Sequence, residues 1–123
     1  MNTHSLPNLL IVDDDPVILI LLEEILKNKT KVDKCTNAID ALHWISLCNY
    51  PLVITDINMP YVNGIEMINF INTFRKDTKF ILLSSVIDEY KEVEINNVVA
   101  RFKKPFDVKE FCLSIHKHLP IEK

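Results

Sequence analysis

Side chains that could do chemistry follow directly after short apolar runs at four places in the 123-residue chain. Carboxylates that meet at short range cannot all stay ionised unless a cation joins them. Oxygen ligands of this kind select a hard cation, and Mg²⁺ is the natural choice. The groups in question are Asp13, Asp14 and Asp15 after the first run, Asp56 after the second, Ser84 and Ser85 after the third, and Lys104 after the fourth.

Asp56 is the candidate nucleophile among these groups. A carboxylate that lies beside Mg²⁺ and a lysine can attack phosphorus and form an aspartyl phosphate. The Lys104 ammonium and the Ser84 hydroxyl would then offset charge on the phosphoryl oxygens in the transition state. Asp15 and Lys103 have simpler interpretations, because an aspartate before a proline caps a helix and an exposed lysine is ordinary.

The elements that must position these groups alternate between two kinds of pattern. Short apolar runs without polar alternation, typical of strands buried on both faces, lie at residues 8–13, 51–55 and 80–83. Residues 31–35 are predicted to form a short strand with alternating character, and residues 98–102 a last short strand. Helical periodicity follows each run, at residues 16–27, 38–47, 65–74 and 88–96 and in a last helix that Asp107 caps. Alternation of this kind predicts βαβ units, a parallel sheet and helices on both faces. The groups that follow the strands then share the edge of the sheet where ligands bind.

Composition narrows the class of protein. The chain is 48% hydrophobic and 25% charged with a net charge of −3, values typical of one folded domain. That charge argues against direct nucleic-acid binding, and the apolar runs are too short for membrane insertion. Cys35, Cys48 and Cys112 fit a reducing cytoplasm without disulfides. Because Gly64 is the only glycine, we expect asparagines, among them Asn28, at left-handed backbone positions.

Four segments together carry a resemblance to a known family. They are LLIVDDDP at residues 9–16, VITDINMPYVNG at 53–64, ILLSS at 81–85 and KKPF at 103–106. In this order and spacing they resemble the receiver domains of two-component response regulators, over essentially the whole chain. The resemblance implies a doubly wound (βα)5 flavodoxin-like fold with strand order 2-1-3-4-5. It also implies one receiver domain over residues 1–123, ordered from about 7 to 119, with no output domain.

The resemblance assigns roles at the candidate metal site. Asp56 matches the phosphoacceptor aspartate of the family. Asp13 and Asp14 match the acidic pair that organises Mg²⁺, with Asp14 as the direct ligand and Asp13 acting through water. Asn58 matches the position whose backbone carbonyl reaches the metal.

The resemblance also implies partners and a switching reaction. A histidine kinase or histidine phosphotransfer protein would donate the phosphoryl group, and the first helix would take part in docking it. Ser84 would hydrogen-bond the new phosphoryl group, and Lys104, followed by a cis Lys104-Pro105 bond, would pair with Asp56 and then with the phosphate. The switched domain would regulate a downstream protein or a separate output domain in the cytoplasm.

Two other functions compete with this interpretation. A small aspartyl phosphatase would need an acid two residues after the nucleophile, where Asn58 cannot exchange a proton. We therefore expect no enzymatic activity other than self-catalysed phosphotransfer and autodephosphorylation. A degenerate receiver that acts only as an interaction module is the second alternative.

The sequence departs from the family pattern near its last strand. Arg101 stands where the family usually has an aromatic residue that changes rotamer on activation. Phe102 is one residue later and should point to the opposite face of the sheet. Val86 stands two positions after Ser84 and offers nothing to position an attacking water, which favours a longer-lived phosphoryl group.

Overall fold

The computed structural model describes residues 8–85 and 94–119. Strands and helices alternate along this part of the chain, except between β4 and β5, where residues 86–93 are not described. The strands are β1 (Asn8–Val12), β2 (Lys31–Cys35), β3 (Leu52–Asp56), β4 (Lys79–Ser84) and β5 (Val98–Lys103). The helices are α1 (Pro16–Leu26), α2 (Ala38–Leu47), α3 (Gly64–Ile71) and α4 (Val108–His118).

All the strands are parallel and form one sheet in the order β2-β1-β3-β4-β5. The chain therefore adopts the doubly wound α/β flavodoxin-like fold and the strand order that the sequence predicts. Because the strands are parallel, their carboxyl ends lie at one edge. The register places Asp56 of β3 opposite Leu83 of β4, and Ser84 opposite Lys103 of β5.

Successive residues of the strands enter two separate cores, which explains the absence of polar alternation. Leu10 and Val12 of β1 pack in the core beneath α2 and α3. Leu9 and Ile11 of the same strand pack in the core beneath α1 and α4. A strand buried on both faces must be apolar throughout, and the side-chain period of two assigns alternate residues to each core.

Side-chain caps start the helices that follow the site-bearing strands. The Asp15 carboxylate accepts from Val17 N at 2.9 Å, and Pro16 takes the first helical position of α1. Asn63 and Glu66 form a reciprocal capping box at the start of α3. Asp107 caps α4, as predicted, by accepting from Glu110 N at 3.0 Å.

Two predictions about helix ends were wrong. Helix α1 ends at Leu26, within one residue of the prediction, but Asn28 does not adopt the left-handed conformation expected of it. Helix α3 ends at Ile71, three residues before the predicted end, because the next residues form a turn. The helix predicted at residues 88–96 lies largely outside the described residues, and residues 94–96, which are described, are not helical.

Within the described residues, two non-glycine residues have a positive φ, Tyr61 at 71° and Asn97 at 69°. Asn97 fits the prediction that asparagines take such positions, and its side-chain amide donates to Asn72 Oδ1 at 3.0 Å. Tyr61 was not predicted. None of the described helices is long and apolar enough to cross a membrane.

Candidate functional site

The strand ends bring the predicted site residues to one edge of the sheet. Backbone hydrogen bonds continue past the strands there, with Asp13 N donating to Cys35 O at 3.1 Å and Ile57 N donating to Leu83 O at 3.0 Å. Lys104 N donates to Ser84 O at 2.8 Å, which holds the residue after β5 against the end of β4. These backbone hydrogen bonds therefore fix the positions of the Cα atoms from which the side chains at this edge extend.

Three carboxylates converge at this edge. One oxygen from each of Asp13, Asp14 and Asp56 lies within 4.8 Å of the others. Asp13 and Asp56 are buried, whereas Asp14 is exposed. This donor set, all hard oxygen atoms with one member open to solvent, suits a cation such as Mg²⁺ that keeps part of its water shell.

Lys104 links two of these carboxylates. Its Nζ lies 2.6 Å from Asp13 Oδ2 and 3.3 Å from Asp56 Oδ2. The sequence predicted pairing with Asp56, and the ammonium group is in fact closer to Asp13. The Lys104-Pro105 peptide bond is cis, as expected.

Burial and charge act on Asp56 in opposite directions. Burial is the main cause of a raised pKa at Asp56, and the neighbouring Asp13 carboxylate raises the pKa further. Lys104 and a backbone hydrogen bond from Asn58 act the other way without cancelling the rise. Burial lowers the pKa of Lys104, but its hydrogen bonds and charge interactions with Asp13 and Asp56 outweigh that effect, and the pKa is raised overall. Lys104 therefore stays protonated.

Ser84 and Asn58 lie beside this cluster. Ser84 is buried at the end of β4, next to the strand that carries Asp56. Asn58 is exposed in the loop that follows Asp56, and its backbone bonds to the Asp56 carboxylate. Asp13, Asp14, Asp56, Ser84 and Lys104 each follow a predicted strand closely, which is why the sequence indicated that they would share this edge; Asn58 was identified only through the family resemblance.

The loop after Asp56 folds back onto the strand, and Gly64 is the residue that allows it. Gly64 N donates to Ile57 O at 2.8 Å. A Cβ at position 64 would overlap the carbonyl oxygen of Asp56. The close approach leaves no room for a side chain at this position, although Gly64 is the first residue of α3 and has no positive φ.

The last strand presents two different side chains to its two sides. Phe102 packs with the α1–α4 core, where its ring lies 5.4 Å from that of Phe111 and 6.4 Å from that of Phe106. Arg101, the residue at the family's usual aromatic position, is exposed. The prediction that Phe102 occupies the face opposite Arg101 agrees with this packing. Val86 lies outside the described residues.

The fold and the acidic cluster define a doubly wound α/β domain with a candidate cation site at its strand ends. The sequence matches the family described as "Response regulator receiver domain" over residues 9–116. The chain therefore belongs to the response regulator receiver domain family of two-component signalling. Domains of this family are regulatory and are not enzymes in the usual sense.

Known proteins similar to this chain agree with that assignment. Sporulation initiation phosphotransferase F of Bacillus subtilis is 28% identical over 93% of this chain and 94% of its own length. Sensor protein EvgS of Escherichia coli K12 is 41% identical over 49% of this chain, but the matched segment is only 5% of that protein. The activity and partners of such longer proteins therefore do not transfer directly.

Solved structures of one relative add detail about what that relative binds. Response regulator TrrA of Thermotoga maritima, solved in complex with Mg²⁺-BeF, is 32% identical and has a TM-score of 0.84. The alignment covers 92% of this chain and 99% of TrrA. A second structure shows histidine kinase ThkA in complex with TrrA, at 32% identity and a TM-score of 0.80 over 92% of this chain and 98% of that one.

Proposed function

We propose that this chain accepts a phosphoryl group on Asp56 from a histidine kinase or a histidine phosphotransfer protein, in an Mg²⁺-dependent reaction. The new group would then change the conformation of the domain and its affinity for a downstream partner. The observation that carries the proposal is the buried Asp56 carboxylate, with two further carboxylates within 4.8 Å and the Lys104 ammonium 3.3 Å away.

Asp56 is suited to act as the nucleophile. One of its carboxylate oxygens attacks the phosphorus atom of a phosphohistidine and forms an O–P bond. The P–N bond breaks, the imidazole nitrogen keeps the electron pair, and that nitrogen takes up a proton. The product is an aspartyl phosphate, a mixed anhydride that water can later hydrolyse. Water would then add to phosphorus, release inorganic phosphate and restore the carboxylate.

Lys104 and Ser84 would stabilise the transferred group. Lys104 is already protonated and lies beside Asp56, so its charge is in place before the phosphoryl group arrives. Ser84 ends the neighbouring strand, where its hydroxyl could donate to a phosphoryl oxygen. A donor of this kind is worth more in a partly buried site than in water.

The carboxylates of Asp13, Asp14 and Asp56, together with the backbone carbonyl of Asn58, would hold Mg²⁺. When bound, the ion supplies positive charge that offsets the charge of the phosphoryl oxygens. Without a cation, the pKa of Asp56 is raised by its burial and by Asp13. The residues therefore fit a divalent ion on charge as well as on ligand type.

Helix α1 offers a surface for the phosphodonor next to the site. It begins three residues after Asp13, and its first turns expose Val17, Ile20 and Leu21. Exposed apolar side chains that cluster on one helix are typical of protein–protein contacts. The complex of TrrA with ThkA supports a kinase as the class of partner.

Intact-mass measurement tests the proposal. The protein is incubated with acetyl phosphate and Mg²⁺, and in parallel with EDTA. We expect one added phosphoryl group on the wild type, and none on Asp56→Asn or in EDTA. Asp77→Asn, which changes an exposed aspartate away from the site, is the matched control and should be labelled like the wild type.

Two results would contradict the proposal. Labelling of Asp56→Asn would place the acceptor at another residue. Failure of the wild type to take up a phosphoryl group, together with no Mg²⁺ binding by calorimetry, would favour a degenerate receiver that acts only as an interaction module.

A further inference from the structure

Tyr61 has an unusual conformation for its residue type. Its φ of 71° lies in the left-handed region, where the Cβ atom of an L-residue crowds the following carbonyl oxygen. Its side chain is 97% exposed, so burial of the ring does not compensate for that crowding. The stability of the fold therefore does not explain a tyrosine at this position.

The loop around Tyr61 holds it in this conformation. Val62 N donates to Pro60 O, and Gly64 N donates to Ile57 O, both at 2.8 Å. The capping box of Asn63 fixes the residue where the loop enters α3. Strained residues that the surroundings hold in place are typical of functional sites.

The position of Tyr61 in the chain keeps it near Asp56. It lies five residues after Asp56, so the two Cα atoms are at most about 18 Å apart even in a fully extended chain. The folding back of the loop onto Ile57 makes the actual distance shorter. A specific protein interface covers roughly 800 Å² of each partner, which corresponds to a radius of about 16 Å. Because the loop returns to Asp56 at Gly64, where an added Cβ would overlap Asp56 O, a donor centred on Asp56 would reach this loop.

The chemistry of the donor matches an exposed aromatic ring. In-line transfer to Asp56 places the leaving imidazole on the far side of the phosphorus atom, toward the solvent and the loops that surround the strand ends. A tyrosine at this rim can offer its ring face to a second ring, and pairs of aromatic rings attract each other beyond the area that they bury. Tyrosine is also frequent among residues that dominate binding energy at interfaces.

We propose that Tyr61 is a specificity residue of the phosphotransfer and that its ring packs against the imidazole ring of the phosphohistidine donor. This inference rests on the proposed function, because it requires Asp56 to be the acceptor. The contact makes the receiver prefer a phosphoryl donor that carries a ring over one that does not.

Three small phosphoryl donors distinguish the effect of the donor's ring from the effect of the bond that breaks. N-phosphoimidazole has a P–N bond and a ring, phosphoramidate has a P–N bond without a ring, and acetyl phosphate has neither. The rate of labelling is measured by intact mass for the wild type, Tyr61→Asn and Tyr61→Phe. Asparagine tolerates the left-handed conformation, so Tyr61→Asn should fold, with an unfolding midpoint no lower than that of the wild type.

We expect Tyr61→Asn to react about three- to tenfold more slowly with N-phosphoimidazole, the range for loss of one aromatic contact. Its rates with phosphoramidate and acetyl phosphate should equal those of the wild type. Tyr61→Phe retains the ring and should behave as the wild type with all three donors.

Other outcomes would overturn the inference. An equal loss of rate with all three donors would mean that Tyr61 acts through the loop and not on the donor ring. Unchanged rates of Tyr61→Asn, or an equal loss in Tyr61→Phe, would exclude the ring contact while leaving the proposed function intact. Failure of every donor to label the wild type would overturn the proposed function, and this inference with it.

Discussion

Replacing Gly64 by alanine tests whether the packing of the loop sets the position of Asp56. An added Cβ would overlap the carbonyl oxygen of Asp56 and would lie 3.1 Å from both Asp56 C and Ile57 Cα. All these atoms belong to the backbone, and Ile57 N is bonded to Leu83 O at 3.0 Å. The clash can therefore be relieved only by moving the start of α3 or the end of β3.

The magnitude follows from the size of that movement. Overpacking of a close-packed region costs about 1–3 kcal/mol. The lower chain entropy of unfolded alanine returns about 0.4–1 kcal/mol, so the free energy of unfolding should fall by about 1.3 kcal/mol at the middle of these ranges and by no more than about 2.6 kcal/mol. A displacement of the Asp56 carboxylate on the order of 1 Å should lower the rate of phosphoryl uptake by about 100-fold. The effect on rate should thus exceed what the loss of stability alone would cause.

Two assays separate these effects. Urea unfolding gives the free energy of unfolding, and intact mass gives the rate of labelling by acetyl phosphate. Asn69→Ala, an exposed substitution in the same helix, is the matched control and should leave both quantities close to the wild type. If Gly64→Ala were as stable as this control and were labelled within twofold of the wild-type rate, the reasoning from the close approach would be refuted.

The remaining predictions concern charge and metal. Lys104→Gln leaves the buried Asp13 carboxylate without its cation and should lower the free energy of urea unfolding by about 3 kcal/mol. The control Lys103→Gln, at an exposed lysine, should change it by less than about 0.5 kcal/mol. Equal effects of the two substitutions would contradict the pairing of Lys104 with Asp13. Burial and Asp13 raise the pKa of Asp56 in the folded state above that of the unfolded chain. The free energy of unfolding therefore falls as pH rises between these two pKa values, because the folded protein must ionise Asp56 in an unfavourable environment. Asp56→Asn should therefore raise the thermal midpoint at neutral pH, with a gain that disappears in acid, and wild-type labelling should slow as pH falls through the raised pKa. A pH-independent gain would count against this cause. Mg²⁺ at 100 times its dissociation constant should add about 2.7 kcal/mol to the free energy of unfolding by mass action. Calorimetry of Asp14→Asn should show that this stabilisation is largely lost, while the stability without metal is unchanged. An undiminished stabilisation by Mg²⁺ would exclude Asp14 as a ligand.

Much of the fold was predictable because its strongest constraints are local. Residues 9–12 of β1 and 52–54 of β3 are buried on both faces of the sheet, so they are apolar without interruption and mark strands in the sequence. Side-chain caps such as Asp107 mark where helices begin. Once the strands are parallel, chain order alone places Asp13 and Asp56 at the same edge, which is why the site could be assembled from residues far apart in sequence.

Other features depend on packing that periodicity cannot resolve. Helical periodicity alone would place Ile39, Trp44, Phe70 and Phe74 among the apolar residues of their helices, yet all four side chains are exposed. The residues that α2 buries in the core are Ala38, Ala41 and Ile45. Hydropathy does not distinguish an apolar residue that faces the sheet from one at the side of the helix.

The sequence indicated Asp56 as the partner of Lys104 and did not reveal that Asp13 is nearer, a difference that bears on how the site would respond to phosphorylation. At rest, its ammonium group lies nearer to Asp13 than to Asp56, by 2.6 Å against 3.3 Å. A phosphoryl group on Asp56 would replace a single negative charge by one of about −1.5 to −2, and the attraction of Lys104 toward Asp56 would grow in proportion. Lys104 is tied to Ser84 through its backbone N–H, and two residues later the ring of Phe106 lies 4.7 Å from that of Phe111 in α4. A shift of the Lys104 ammonium group from Asp13 toward Asp56 would therefore act through direct contacts on the end of β4. It would act in the same way on the α1–α4 side of the sheet, where Phe102 also packs.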